Sequence, residues 1–237
     1  MKTILLGLVV GLFSLSVVAQ RTFVTASSHW GTNSYTPASG GMETFAVWVR
    51  MPATNVSSTF LNVTRGAITD NHYRVLGYGV GYFYASIRAG PIGYNSQSNF
   101  LPTLNAWYHV AVVWRGTTNR TVYVNGRAGT TESTTVNPTS IDEVHLGRLT
   151  TSSGNYYCSA DLVEPAIWHT ELSLTELGQL AGSGSFNKRA HPSKIRPDKL
   201  VWLPDLTIPG AAVPGIGGIT GISNSPAQLN VLPATFK

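Results

Sequence analysis

Along residues 105 to 127, NAWYHVAVVWRGTTNRTVYVNGR, apolar side chains occupy both parities of an extended chain. Trp107, His109, Ala111 and Val113 fall on one face, and Tyr108, Val110, Val112 and Trp114 on the other. A strand that is apolar on both sides belongs in the middle of a layered domain, where neither face meets water. Gly, Thr and Asn then interrupt the pattern, Thr121 to Val124 resumes it, and Asn125-Gly126 tolerates the positive φ that a two-residue hairpin turn needs. The pattern predicts a three-stranded meander whose third strand is Arg127 to Glu132.

Similar patterns recur on either side. Thr22 to Ala26 and residues 59 to 64 read as short strands, and Glu43 to Met51 alternates with Phe45, Val47 and Val49 inward until Pro52 stops it. From Gly79 onward one parity carries Gly79, Gly81, Phe83, Ala85 and Ile87, and the other carries Val80, Tyr82, Tyr84, Ser86 and Arg88. Gly90-Pro91 ends that strand, and Gly93 to Asn99 reads as a polar loop holding Tyr94 and Asn95. Ile141 to Leu149 and Tyr156 to Trp168 follow as strands, with Pro165 marking an edge or a bulge. Ser173-Leu174-Thr175-Glu176 is a capping box that opens a short helix through Leu177 and Leu180, and Gly182 stops it. Leu200 to Leu203 is a closing strand. Many short strands and one helix predict an all-β domain.

Composition narrows this picture. The 237 residues are 11% charged and 10% aromatic with 24 Gly, a profile of β-rich extracellular or virion-type proteins and poor in helix formers. The net charge of +5 sits mostly in residues 181 to 237, where six Lys or Arg meet two Asp, so the core is nearly neutral and a nucleic-acid footprint is not expected. Cys158 is alone in the sequence, which excludes an intrachain disulfide and predicts a buried thiol. Residues 1–20 have a basic start, an apolar run too short for a membrane span, and small residues before Ala19, so they read as a signal peptide or N-terminal arm. Residues 21–206 are the domain, and 207–237 form a Gly/Pro-rich tail with spaced apolar residues that suits contacts with capsid, tail or like subunits.

Trp107-Tyr108-His109-Val110-Ala111, Val122 to Gly126 and Ile141 to Gly147 resemble, in order and spacing, the laminin G-like branch of the concanavalin A-like lectin/glucanase fold. Phe45 to Val49, Ala160 to Glu164, Ile167-Trp168 and Leu172 to Leu177 extend the resemblance over residues 22 to 182. It implies a two-sheet antiparallel jelly-roll sandwich. Ile195 to Pro204 is similar to the end of laminin G-like proteins encoded among bacteriophage structural genes, which implies a virion surface or secretion. The family's glucanases carry Glu-x-Asp-x-Glu on one strand. This chain has no such triplet: Asp142 and Glu143 are adjacent, and Asp161 and Glu164 differ by an odd number, which on a regular strand sends them to opposite faces. Its six His are scattered and no nucleophile elbow is present, so no enzyme and no catalytic residue are expected. Calcium occurs in parts of the family and needs loop oxygens; Asp70-Asn71 and Asp161 are available without a recognisable loop motif, so no metal or other cofactor is predicted.

Binding of a glycan or surface polysaccharide requires aromatic faces that stack on sugar rings beside groups that bond hydroxyls. Tyr82, Tyr84 and Arg88 on one strand face, with Tyr94 and Asn95 beyond it, meet the requirement. Tyrosines at alternate positions also serve to cover the back of a sheet. The sequence thus points to a non-catalytic carbohydrate-binding or adhesion module on a virion or cell surface. A structural virion or decoration protein is the alternative, and a polysaccharide-cleaving enzyme a lesser one.

Overall fold

The computed structural model describes residues 21–23, 30–52, 57–65, 71–99, 101–183, 188–206, 215–217 and 221–223. The expected leader, most of the expected tail, Asp70 and the end of the first short strand lie outside them. The described chain forms two large antiparallel sheets. The larger runs in spatial order β10 (Arg127–Glu132), β9 (Asn119–Val124), β8 (Trp107–Arg115), β3 (Met42–Arg50), β14 (Ala160–Trp168), β15 (Leu200–Pro204) and β16 (Gly215–Ile216), with β1 (Arg21–Phe23) also on β14. The smaller runs β17 (Gly221–Ser223), β2 (Trp30–Ser34), β11 (Glu143–Leu146), β4 (Ser58–Thr64), β5 (Tyr73–Gly79), β6 (Tyr82–Ala89) and β7 (Ile92–Gln97). A hairpin of β12 (Arg148–Thr151) and β13 (Gly154–Tyr157) stands apart from both.

β8 occupies the interior of its sheet, as its double-faced pattern predicts. Its register with β3, Met42 opposite Arg115 through Arg50 opposite Trp107, aligns Phe45, Val47 and Val49 with Val112, Val110 and Tyr108. These side chains meet Phe60, Leu61, Val63, Leu76, Phe83, Ala85 and Ile87 of the smaller sheet in one core. Each such burial contributes roughly 1.5–3 kcal/mol against the entropy of ordering the chain. The other face of β8 lies under α1 (Leu174–Ala181): Leu177 and Leu180 pack with Ala111, Val113, Ala166 and Trp168. Ser173 and Glu176 form both bonds of the capping box, and Gly182 at φ 61 ends the helix.

One end of the core holds a buried ion pair. Glu43 is fully buried and Arg74 nearly so, 2.6 Å apart, with the guanidinium 5.8 Å above the Trp114 ring. The Tyr35 hydroxyl and the Ala38 N–H also donate to Glu43, at 2.7 and 2.8 Å. Burial, then the charge of Glu43, raises the Tyr35 hydroxyl far above the usual phenol range, so it acts as a fixed donor.

Five features differ from the sequence reading. Gly93 to Asn99 is no loop: Ile92–Gln97 is β7, paired along β6. Ile141 to Leu149 breaks at Gly147, φ 79, where the chain leaves the smaller sheet for the separate hairpin. Tyr156 to Trp168 is likewise two strands, with Cys158 buried in the connection and its thiol raised by burial. Pro165 does mark a bulge, since the register with β3 slips between Val163 and Ala166 and Glu164 adopts φ 49. The bulge cancels the odd spacing, so the expectation that Asp161 and Glu164 take opposite faces fails. Two pieces of the expected tail return to the domain, Ile216 pairing with Leu203 and Gly221 with Thr32.

Candidate functional site

The outer face of β5, β6 and β7 carries the candidate glycan site, and strand register decides its membership. Across the three strands the facing rows are Tyr73, Arg88 and Gly93; Val75, Ser86 and Asn95; Gly77, Tyr84 and Gln97; with Gly79 opposite Tyr82 at the end. Tyr82, Tyr84, Arg88 and Asn95 therefore share one face. Tyr94 pairs with Ile87, an inner-core residue, so it takes the opposite parity and sits 42% exposed on the open edge.

The face is flattened by glycine. A Cβ on Gly77 would lie 3.1 Å from the Tyr84 hydroxyl oxygen and Cζ, and one on Gly79 would lie 3.3 Å from its Cε1. The Tyr84 ring accordingly spans both glycines. Its inner flank packs with Tyr73, Val75 and Leu149. Burial pushes its hydroxyl up to about 12, Tyr73 and Tyr156 add to the rise, and a hydrogen bond with Thr59 opposes it. The hydroxyl thus stays protonated.

Leu149 and Tyr156 come from the β12–β13 hairpin, where they face each other across the strands. The hairpin is held down by Asn62, which donates to the Arg148 carbonyl, and by Asn71, which bonds Ser152 at 2.8 and 3.1 Å. Tyr156 is 45% exposed and close enough to act on the Tyr84 hydroxyl. It joins the face from a distant part of the chain, a proximity with no local signal in the sequence. At the far end Arg88 donates to the Gly90 carbonyl at 3.0 Å and lays its stem over Gly93. Exposed Asn95 lies beside it on β7.

Beyond the apolar patch under α1, the outer face of the larger sheet carries carboxylates paired with arginines. Asp161 takes Arg50, whose guanidinium lies 5.4 Å over Trp107, and Glu164 takes Arg189, 5.8 Å over Trp48. His109, 3% exposed and edge-on to Trp48, is lowered to about 3 by burial and by Arg189. It is a neutral scaffold group. His145, also buried, is lowered to about 4 by burial although Glu143 lies 2.7 Å away. Among the described residues no three His, Cys, Asp or Glu side chains gather where they would hold a metal, and no helix is long and apolar enough to cross a membrane.

Comparison with known proteins places this geometry. Among solved structures, the chain resembles a heptameric SAP-like pentraxin from Limulus polyphemus, with 14% identity, 73% of this chain and 87% of that one covered, and TM-score 0.56. It resembles the CBM40 of the Ruminococcus gnavus IT-sialidase bound to α2,3 sialyllactose, with 15% identity, coverage of 70% and 100%, and TM-score 0.53. It also resembles domains LG4-5 of the mouse laminin α1 chain, with 14% identity, coverage of 65% and 43%, and TM-score 0.51, so it spans less than half of that chain. At these identities the likeness is one of fold. No curated protein matches the sequence. A laminin G-like family model matches residues 24–178, and the chain belongs to the concanavalin A-like lectin/glucanases superfamily.

Proposed function

We propose that the protein is a non-catalytic carbohydrate-binding or adhesion module that takes a glycan on the outer face of β5 to β7. The carrying observation is the Tyr84 ring lying across Gly77 and Gly79 with Tyr82 beyond it. A flat, supported aromatic surface suits the apolar face of a pyranose, and Arg88, Asn95 and the half-buried Tyr82 supply bonds for its rim. Tyr94 lines the edge of this site rather than its floor. Binding of sialyllactose by a protein of the same fold agrees with the reading. Pairing of Asp161 and Glu164 with arginines leaves neither carboxylate free to serve as a glycosidase acid or nucleophile.

The test is retention on a glycan array. Tyr82→Ala is expected to lower affinity for the retained glycans about tenfold, the loss of one stacking contact, with thermal stability nearly unchanged. Retention equal to the parent protein would remove this face from consideration. Release of reducing ends from a bound polysaccharide would contradict the non-catalytic reading. Display outside the cell or on a virion surface is part of the proposal: an exported chain beginning at Gln20 supports it, and an uncleaved chain confined to the cytoplasm contradicts it.

A further inference from the structure

At the Glu43 end of the core a second arginine stands beside the ion pair. Arg120 on β9 has the parity of Val122 and Val124, so it enters the core; it faces Trp114 on β8, which in turn faces Glu43 on β3. Glu43, Trp114 and Arg120 thus form one row of inward side chains across three strands, and Arg74 meets that row from the other sheet. None of the four is more than 4% exposed. The Trp114 indole has one guanidinium over its ring and the other as its cross-strand neighbour.

The cluster is rich in donors and short of acceptors. Arg74 Nε, Trp114 Nε1 and both Nε and Nη2 of Arg120 are buried and make no hydrogen bond among the described residues. A buried donor left unpaired carries its full desolvation cost. The acceptors nearby are already engaged. Glu43 takes the Tyr35 hydroxyl and the Ala38 N–H on Oε1 and Arg74 on Oε2, and the Thr134 carbonyl takes Arg120 Nη1 at 3.1 Å. Glu132 stands 4.0 Å from Arg120 Nη2, beyond hydrogen-bond reach, and its near oxygen accepts from the Thr134 N–H and hydroxyl at 2.8 and 2.6 Å.

The charges are also uneven. Two buried guanidiniums share one buried carboxylate, because Glu132 is 26% exposed and screened by water. Burial lowers the Arg120 guanidinium from its ordinary proton affinity, with Glu132 opposing. A water molecule among these groups would find donors for its oxygen and little to accept its own hydrogens, whereas an anion needs donors alone. A monatomic anion accepts from any direction, so it fits an indole and two guanidiniums drawn from β8, β5 and β9, and its size suits a close-packed interior.

We propose that this end of the core binds one halide ion on the N–H groups of Trp114, Arg74 and Arg120. The ion balances the second guanidinium and ties β8 and β9 to β5 of the opposite sheet.

Bromide is the probe, since it stands in for chloride and scatters anomalously. Full-length protein is unfolded in urea at constant ionic strength while sodium gluconate is exchanged stepwise for sodium bromide, and crystals grown in bromide are measured at the bromine edge. The stabilisation is expected to saturate, unlike a general salt effect on burial. The unfolding equilibrium constant falls about a hundredfold when bromide reaches about a hundred times its dissociation constant. One anomalous peak lies against Trp114 Nε1 and the Arg120 guanidinium. Trp114→Phe keeps a ring and removes the N–H, and it weakens bromide about tenfold, the loss of one hydrogen bond to a charged group. Arg120→Met abolishes the dependence; if that variant does not fold, the parent's peak and Trp114→Phe decide. Equal unfolding in gluconate and bromide, density at the site without an anomalous signal, bromide at the surface alone, or an unchanged dependence in Trp114→Phe overturns the proposal.

Discussion

His109 and His145 are both held neutral inside the protein, and both regain an ordinary affinity for protons when the chain unfolds. With folded values of about 3 and about 4 against 6.5 for the free side chain, the unfolded state binds more protons throughout the interval between. Their contribution to stability is therefore complete above pH 6.5 and is lost as pH falls toward those folded values, at up to about 1.4 kcal/mol per pH unit for each histidine. Urea unfolding between pH 6.5 and 4 is expected to show this slope, and His109→Gln to reduce it by about one proton's worth. An unaltered slope would mean that His109 is not the buried neutral group described. The scaffold role of His109 was legible from its apolar neighbours. The shared face of Tyr82, Tyr84 and Arg88 was legible from parity alone. Tyr94 was not, because parity cannot be carried across Gly90-Pro91 into a stretch whose polar composition hides a strand. Glu164 escaped for a related reason: a bulge adds a residue without changing the hydrophobic pattern.

Among elements, those with chemical punctuation were readable and those defined only by their neighbours were not. α1 announces itself through Ser173, Glu176 and Gly182, and the β9–β10 turn through Asn125-Gly126. β7 has no such mark. It is an edge strand whose exposed first four residues carry no inward apolar row, and its far half is fastened by side chains: Ser96 donates to the Thr130 carbonyl, and the Gln97 N–H donates to Thr130 Oγ1 at 2.8 Å. The β12–β13 hairpin is equally silent, because its apolar Leu149 continues the alternation of β11 and only Gly147 records the change of course. Since α1 roofs the outer side of β8 through Leu177 and Leu180, its cap contributes to the whole layer. Ser173→Ala is expected to cost about 1 kcal/mol in chemical denaturation. Glycan retention should be unaffected, because the tyrosine face lies on the other sheet.

On the scale of the molecule, the sandwich and its family were written in the order of the motifs, whereas the closure of its end was not. Glu43 is the one acidic residue of a strand otherwise read as alternating, and Arg74 is the second residue of β5; nothing local says that they meet across the core. Removing one partner strands a charge in a dry interior. Glu43→Gln and Arg74→Met are each expected to destabilise by roughly 3–5 kcal/mol, and the double variant by less than the sum. Additive losses in a double-mutant cycle would show that the two side chains are not coupled.

The strand order also sets a timetable. β4, β5, β6 and β7 pair with their immediate neighbours in the chain, closing short loops, and they carry the tyrosines. β3 finds β8 only across that entire meander, and β14 finds β3 across a still longer interval. Pairings of large sequence separation are the slow ones, because loop entropy is lost before any contact is gained. The recognition face is thus drawn from the part of the chain able to assemble first. Until the distant central strands arrive behind it, its apolar back, Phe83, Ala85 and Ile87, stands open to water and to other chains.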